Sequence, residues 1–337
     1  MKNFIVACTI ALAMVSCTNN SHTPDVSGIP VKISTYRFEQ KLFDTTAPTL
    51  NSYLLQLQSN HPAFTAIFLN DILNADPNWP ADTTASYVNL FVRTYRPVFN
   101  DAQKIFSNFT PYEKEMAKAI RYVKHYFPAY HVPEKIITYI GPADGYGDAI
   151  TKEAFLIGLQ YHLGKDNQLY KTDIVRQVYP EYISNRFEAS TIVVNSMKNI
   201  VTDIYPEKEN DKPLVQQMIE KGKRLYILSA LLPEKDEHLL IGYTDAQLKD
   251  CYKHEAAIWD LFVKNNYLQS IDKNIFRNFI EEGPKTQELG EGAPGNAGSF
   301  AGWQIVKKYM QKNPATTLQQ LIALSEETIF EQAKYKP

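Results

Sequence analysis

Apolar residues recur at helical spacing over most of the chain that follows residue 31. In its N-terminal third the apolar positions are carried by leucine, isoleucine and phenylalanine, namely Leu50, Leu54, Leu55, Leu57, Phe64, Ile67, Phe68 and Ile72. Residues spaced in this way lie on one face of a helix that packs against a core. A further helix is predicted to begin at Thr110 as its cap, with Pro111 in the first turn and Glu113 completing a capping box. The sequence therefore predicts a helical region over residues 31–134.

The pattern changes after residue 134, where two short apolar runs are typical of strands. Lys135–Ile140 is rich in β-branched and aromatic residues and is followed by Gly141-Pro142, and Glu153–Gly164 is the second run. Gly145 and Gly147 mark a turn between them. The two runs predict a small antiparallel sheet that packs on helices.

Helical periodicity returns after Pro180 and continues to the end of the chain. The predicted helices cover residues 182–204, 214–232, 244–265 with Thr244 as the cap, 276–280, 299–311 and 318–333. The predicted fold class is mainly α with a small antiparallel β-sheet (α+β). Residues 135–337 are predicted to form an α+β protease-like core, in one compact unit with residues 31–134.

The first seventeen residues are typical of an export signal. Lys2 gives a positive start, and Phe4–Val15 is an apolar run of twelve residues. A membrane-spanning helix takes about 20 apolar residues, so this run is too short to be one. Met14-Val15-Ser16-Cys17 resembles the lipobox of bacterial lipoproteins, in which the cysteine is acylated and becomes the new N-terminus. We predict a cleaved lipoprotein signal over residues 1–16, lipidation of Cys17 and a polar tether over residues 17–30. The alternative is an ordinary signal peptide with a chance cysteine.

Charge and cysteine content exclude several classes of function. Removing Lys2 with the signal leaves 34 basic and 37 acidic side chains, and no basic stripe is present to bind a nucleic-acid backbone. Cys8 leaves with the signal and Cys17 is the predicted lipid site, so Cys251 is alone and no intrachain disulfide is predicted. No two of the seven histidines have HxH, HxxH or HxxxH spacing. The sequence predicts no metal and no cofactor.

Two short motifs resemble known sites but lack part of the required pattern. Gly290–Gly295 spells GxGxxG, yet the preceding Glu281–Lys285 is not a strand, and nearby glutamates would repel phosphate. His254-Glu255 begins like the zinc-protease signature HExxH, yet Ile258 stands where the second histidine is required. We therefore expect neither a nucleotide site nor a metal site at these positions.

Arg186, Glu188 and Ser190 are candidate cleft or partner-binding residues. The segment is predicted to lie in the middle of a helix, where Arg186 and Ser190 share a face and Glu188 points away. Arg186 at the floor of a cleft is one interpretation, and a solvated arginine is the other.

The glycine-rich segment supplies the remaining candidate residues. Six of the fourteen glycines lie between Gly283 and Gly302, where the chain is forced into tight turns or close contacts. A shaped loop over a cleft, with Pro294, Gly295 and Trp303 as candidate cleft or partner-binding residues, is one interpretation. A plain structural loop is the alternative.

Several segments together resemble one protein family. The lipobox, Arg37–Phe43, Tyr161–Asp166 and the block Gly283–Met310, which contains Pro294-Gly295 and Gly302–Val306, are similar to the gliding motility lipoprotein GldB family. The similarity covers nearly the whole mature chain. It implies an envelope lipoprotein needed for gliding movement or for the associated secretion and motor machinery, with no established catalytic activity.

The chain is also similar, more distantly, to predicted zinc proteases in which a strand pair precedes an HExxH helix. At the ligand positions stand Arg186, Phe187 and Ser190, and Lys221-Gly222 replaces the later Glu-Gly pair. Arginine has no acceptor atom, and cations repel a divalent metal. This resemblance implies a degenerate zincin-like core that has lost its metal, and hence a pseudoenzyme.

The sequence therefore predicts a non-enzymatic protein that a lipid anchors in the cell envelope. Its expected partners are the membrane, through that lipid, and envelope or motility-machinery proteins, with no nucleic acid. Thr18-Asn19-Asn20 lacks the acidic run associated with surface export, so we expect the protein to face the periplasm. One alternative is an envelope hydrolase, either a peptidase or a cell-wall enzyme, with an unrecognised site. Another is a peptidoglycan- or glycan-binding module that uses tyrosines together with Trp259 and Trp303.

Overall fold

The computed structural model describes residues 23–207 and 212–337, so the predicted signal peptide and Cys17 lie outside the described residues. The N-terminal part contains one strand and five helices: β1 (Ser34–Arg37), α1 (Phe38–Phe43), α2 (Ala47–Asn60), α3 (Pro62–Ala66), which continues into a π-helical turn (Ile67–Ile72), α4 (Ala81–Phe106) and α5 (Thr110–Tyr126). The predicted helical region is present, with the addition of β1, which the sequence analysis missed.

One small sheet joins the two predicted regions. It contains β1 together with β2 (Lys135–Tyr139), β3 (Ala149–Ile150) and β4 (Ala154–Gly158), in the order β1-β2-β4-β3. A small sheet in a mainly helical fold is confirmed. The predicted antiparallel pairing of the two strands is wrong, because β2 pairs in parallel with both β1 and β4. The short β3, antiparallel to β4, reverses the chain so that β4 returns in the direction of β2.

The C-terminal part is helical. Its helices are α6 (Asp173–Val178), α7 (Glu181–Ser184), α8 (Ile192–Ile204), α9 (Leu214–Leu231), α10 (Glu237–Ile241), α11 (Asp245–Lys253), α12 (Glu255–Lys264), α13 (Lys273–Phe279), α14 (Ala297–Lys312), α15 (Leu318–Ala323) and α16 (Glu326–Ala333). The helices predicted over 214–232 and 299–311 correspond to α9 and α14. Those predicted over 244–265 and 318–333 are each broken in two, at His254 and at Leu324-Ser325, where Leu324 is extended and Ser325 caps α16.

The two predicted helix caps have different outcomes. Thr244 caps α11, as predicted, and also forms a capping box with Gln247. Thr110 is instead the first residue of α5, and no side chain caps that helix. The Glu113 carboxylate accepts a hydrogen bond of 2.6 Å from the Thr35 hydroxyl. It therefore links α5 to β1 rather than closing a capping box.

The segment Arg37–Phe43 lies in the core. Phe38, Glu39 and Leu42 are fully buried. The Glu39 carboxylate accepts hydrogen bonds from Arg37 Nε at 2.7 Å and from the Thr138 hydroxyl at 2.6 Å. Burial raises the pKa of Glu39, although Arg37 acts in the opposite direction. This buried carboxylate connects α1 to the central strand β2.

Tyrosine hydroxyls hold the connection between β2 and β3. Tyr139 donates to the carbonyl of Gly147 at 2.6 Å, and Tyr161 and Tyr179 both donate to the carbonyl of Gly145 at 2.9 Å. Tyrosine combines an apolar body with a polar tip, so it can fill a core and still satisfy a backbone group. These tyrosines have a structural role.

The last part of the predicted tether packs against α5. Val26 is buried, Arg121 donates to the carbonyl of Ile29 at 3.2 Å, and Lys124 donates to the carbonyl of Pro30 at 3.2 Å. Within the predicted lipid-anchored polar tether over residues 17–30, this last stretch is docked on the folded body.

Helices α9 and α14 cross with their backbones in direct contact. A Cβ atom at Gly302 would overlap the carbonyl group of Met218, and one at Gly222 would overlap the carbonyl group of Gly302. A Cβ at Gly298 would lie 2.7 Å from the carbonyl oxygen of Phe279. The glycines of this crossing are required because no side chain fits between the two helices.

Candidate functional site

A cavity of about 510 Å³ lies between α8, α9, α10 and the chain that follows α13. Small-molecule sites in proteins commonly enclose about 300–1,000 Å³. The cavity has an apolar wall that includes Val201, Leu228 and Ile241. Its charged lining carries both signs: Lys198, Lys221, Arg224, Glu207, Glu220, Glu281 and Glu282. A lining of this kind suits a ligand that has both apolar and charged groups.

Ion pairs neutralise most of these charges. The pairs are Lys221 with Glu207 at 2.5 Å, Arg224 with Glu220 at 3.0 Å, and Arg186 with Glu282 at 2.9 Å. Arg224 and Glu220 are one turn apart on α9, so the helix itself sets their separation. The hydrogen bond from Lys221, together with the positive charges of Lys221 and Arg224, lowers the pKa of Glu207.

Lys198 is different from the other cations of the cavity. It lies on α8, and among the described residues no carboxylate or hydrogen-bond acceptor pairs with its ammonium group. Burial and the positive charge of Arg186 lower the pKa of Lys198 to about 8, although Glu282 acts in the opposite direction. The cavity therefore contains a half-buried cation without a direct partner in the described chain.

A smaller cavity beside the first brings three predicted residues together. Arg186, Pro294 and Gly295 line it, as do Glu282 and Asn296, which also line the larger cavity. Arg186 donates to both carboxylate oxygens of Glu282, at 3.3 and 2.9 Å. The Arg186–Glu282 pair thus lies where the two cavities meet.

The segment Arg186–Ser190 was predicted to lie in the middle of a helix, and this prediction is wrong. It forms the turn between α7 and α8, because the Phe187 ring packs among three tyrosine rings with centroids 5.0 to 5.3 Å away. The Glu188 carboxylate accepts a hydrogen bond from the backbone of Lys165 at 3.0 Å, and Ser190 is exposed. The helical face that Arg186 and Ser190 were expected to share does not exist.

Trp303 contributes to the core and not to the cleft. It is fully buried in α14, and the ammonium of Lys307 lies 3.9 Å from the centre of its ring. Trp259 is half-buried and packs against Tyr335. The buried position of Trp303 leaves it unable to stack on a glycan.

The glycine-rich segment closes on itself beside the smaller cavity. A Cβ atom at Gly295 would overlap the carbonyl group of Gly283, so the two backbones touch. The hydroxyl and backbone N–H of Thr286 both donate to the carbonyl of Pro294, at 2.8 and 2.9 Å. Gly290 has a φ of 92°, a conformation that favours glycine. A 3₁₀ turn over Gln287–Leu289 precedes the GxGxxG sequence, so the strand that phosphate binding requires is not there.

One buried cluster was missed by the sequence analysis. His162 Nε2 lies 2.9 Å from the Asp148 carboxylate, and Nδ1 lies 3.2 Å from the Thr191 hydroxyl. Burial lowers the pKa of His162, but the interaction with Asp148 outweighs it and the pKa is raised. The side chains of His162 and Asp148 are 1% and 5% exposed, and Thr191 donates to the carbonyl of Glu188 at 2.6 Å. The order of groups is that of a catalytic triad, but a substrate cannot reach it, so the cluster fastens the chain before β3 to α8.

The positions that correspond to zinc ligands do not fit a metal. Arg186 is engaged by Glu282, Lys221 by Glu207, and Gly222 lies in the helix crossing. Within residues 23–207 and 212–337, no group of three or more His, Cys, Asp or Glu side chains is arranged to hold a metal ion. A guanidinium, an ammonium and a hydroxyl do not form a zinc site. The zincin-like core remains a prediction.

A sequence model of the family described as gliding motility protein GldB matches residues 19–337. The chain belongs to this family. The resemblance drawn from short segments is therefore confirmed, and the match includes Arg37–Phe43 and Gly283–Met310 while beginning after Cys17. No curated protein and no solved structure gives a significant match.

Membership of the GldB family makes this a gliding-motility lipoprotein of the cell envelope. In the part of the chain that the structure describes, no helix combines the length and apolarity needed to cross a membrane.

Proposed function

We propose that this protein is a lipid-anchored, periplasm-facing component of the gliding machinery or of its associated secretion apparatus. It acts through contacts with partner proteins and not by catalysis. The observation that carries the proposal is the family match over residues 19–337. The non-catalytic part is supported by the roles of Arg186, Lys221 and Gly222, which form ion pairs or a helix crossing at the positions expected for metal ligands.

Exposed apolar side chains support a role in protein contacts. Ile174 and Val178 are one turn apart on α6 and are 60% and 48% exposed. The next residue, Tyr179, donates to the carbonyl of Gly145, which places the exposed Tyr146 at the same end of α6. Neighbouring exposed apolar side chains on a folded protein are typical of surfaces that another protein covers.

Deleting the gene in a gliding host is expected to abolish colony spreading and to reduce the associated secretion, because the machinery loses an envelope component. Spreading is measured on low-nutrient agar, and the wild-type gene supplied on a plasmid is the control. A deletion strain that spreads normally would contradict the motility role.

In-cell crosslinking followed by affinity purification is expected to recover other envelope or motor proteins. Recovery of none, together with labelling by a hydrolase activity probe, would favour the enzymatic alternative.

The substitution Cys17→Ala is expected to abolish fatty-acid labelling of the protein and to release it from the membrane fraction. A single thiol carries the whole attachment in this proposal, and Cys17 precedes the packed body. Incorporation of an alkyne-tagged palmitate is the measurement, with sedimentation as the second readout. Cys251→Ala is the matched control: Cys251 is buried in α11, where burial raises its pKa to about 12. Persistent labelling of the Cys17→Ala protein would show that the lipid is attached elsewhere.

A further inference from the structure

The larger cavity contains one cation, Lys198, that forms no ion pair with the other described side chains of the lining. Within the described residues Lys198 has no hydrogen-bond or ion-pair partner, whereas Lys221 and Arg224 each contact a carboxylate. A charged group removed from water is costly unless a counter-charge or hydrogen bonds compensate for the lost hydration. A ligand with a negative group would complete this site.

The charge of the lining restricts what that ligand can be. Three cations and four carboxylates line the cavity, and Arg186 pairs with one of these carboxylates, Glu282, so the lining offers no net positive charge to a multiply charged anion such as phosphate. Glu281, an exposed residue at the edge of the same cavity, has no ion-pair partner among the described residues. An unmatched cation and an unmatched carboxylate together favour a ligand that carries both signs of charge.

Asn296 gives an independent indication. It is 91% buried in the wall of the cavity, at the start of α14, and within the described part of the chain its side-chain oxygen has no hydrogen-bond partner. Its backbone is in the left-handed region, with a φ of 49°. A buried acceptor without a donor is unfavourable, and an N–H group of a ligand supplies the donor.

We propose that this cavity binds an amino acid or the end of a peptide, with the ligand carboxylate on Lys198. The ligand's ammonium or amide N–H group then lies toward Glu281 and Asn296. The volume of about 510 Å³ accommodates a residue or two. The lowered pKa of Lys198, caused by burial and by Arg186, agrees with an ammonium that lacks a bound anion. The proposal is independent of the motility role, since it concerns the ligand and not the partner proteins.

The test is calorimetric titration of the purified full-length lipoprotein in detergent. The probes are alanine and alanyl-alanine, with propionate, ethylamine and inorganic phosphate as probes that carry one sign of charge. Binding of either zwitterion in preference to the three others is expected. Binding of alanine alone identifies a free amino acid as the ligand, and binding of alanyl-alanine alone identifies a peptide end.

Lys198→Met is expected to weaken binding at least about tenfold, because it removes a charge-assisted hydrogen bond to the carboxylate. The variant should fold normally, since it removes an unmatched charge from a half-buried position. Lys253→Met is the matched control, on an exposed part of α11 away from the cavity. Equal affinities of the two variants would overturn the assignment of the carboxylate to Lys198.

Chemical protection provides a readout that does not depend on a variant. Acetylation of Lys198 by acetic anhydride, followed by peptide mass spectrometry, is expected to be slower when alanyl-alanine or alanine is bound, while Lys253 reacts at an unchanged rate. Unprotected Lys198 and no heat of binding with either zwitterion would overturn the proposal, as would tighter binding of phosphate.

Discussion

Replacement of Glu326 by glutamine is expected to lower the free energy of unfolding at pH 7 by about 3–5 kcal/mol, the cost of breaking a buried ion pair. Glu326 is buried at the start of α16, where it accepts hydrogen bonds from Lys223 at 3.0 Å and Lys212 at 2.9 Å. Lys223 is fully buried in α9 and also donates to the carbonyl of Leu324 at 2.6 Å. A neutral amide at position 326 removes a negative charge that compensates for the burial of the Lys223 ammonium. Urea denaturation at equilibrium measures the loss.

The same variant is expected to change how stability depends on pH. Burial raises the pKa of Glu326, but the hydrogen bonds from Lys212 and Lys223 outweigh it and lower the pKa from its usual 4.5 to about 2. A depressed pKa in the folded state stabilises the protein above the unfolded value, and this contribution is lost as pH falls from 4.5 toward 2. Glu326→Gln should therefore lose less stability than the wild type over that range. Glu327→Gln, at the exposed neighbouring position, is the control and should stay within about 0.5 kcal/mol of the wild type. Parallel pH profiles for Glu326→Gln and the wild type would contradict the proposed ion pair.

Gly302→Ala is expected to destabilise the protein by about 1–3 kcal/mol or more, because the added methyl group must separate two packed helices. The methyl group would overlap the carbonyl group of Met218. This carbonyl group belongs to the backbone of α9 and cannot rotate away. Alanine is preferred to glycine within a helix by about 0.5–1 kcal/mol, so a net loss shows that the overlap outweighs this gain.

Thermal and urea unfolding measure this loss, and the chain offers a closely matched control. A Cβ atom at Gly292 would have no neighbouring atom within 4 Å, and the backbone there is not in the left-handed region. Gly292→Ala should therefore leave the stability unchanged or slightly raised. If both glycine variants behave alike, the close contact of α9 and α14 is not a determinant of stability.

Local signals in the sequence were sufficient for the longer helices. The periodicity of α9 and α14 and the capping box of Thr244 with Gln247 depend on residues within a few positions of one another. The strand β1 was missed because its four residues acquire their pattern only by pairing with β2, which comes about a hundred residues later. The parallel pairing of β2 and β4 has the same origin, since neither strand alone indicates the direction of the other.

The candidate site was predicted only in part, for similar reasons. Arg186, Pro294 and Gly295 were selected on residue type and do line one cavity, but the turn that presents Arg186 depends on where the Phe187 ring packs. A lysine on a polar helix face usually lies in water, and nothing in the residues near Lys198 indicates that α9 and the chain after α13 enclose it. The lack of a direct ion-pair partner for Lys198 among the described residues is a tertiary property, and it becomes visible only when the neighbouring elements are in place.

The burial of Val26 and the docking of Ile29 and Pro30 on α5 also limit how far the protein can reach from its membrane. Val26 comes nine residues after Cys17, and an extended chain covers at most about 3.6 Å per residue. With a lipid on Cys17, the part of the folded body that buries Val26 is held within about 32 Å of the bilayer. A partner that lies further from the bilayer must itself extend toward this protein, or meet its opposite side.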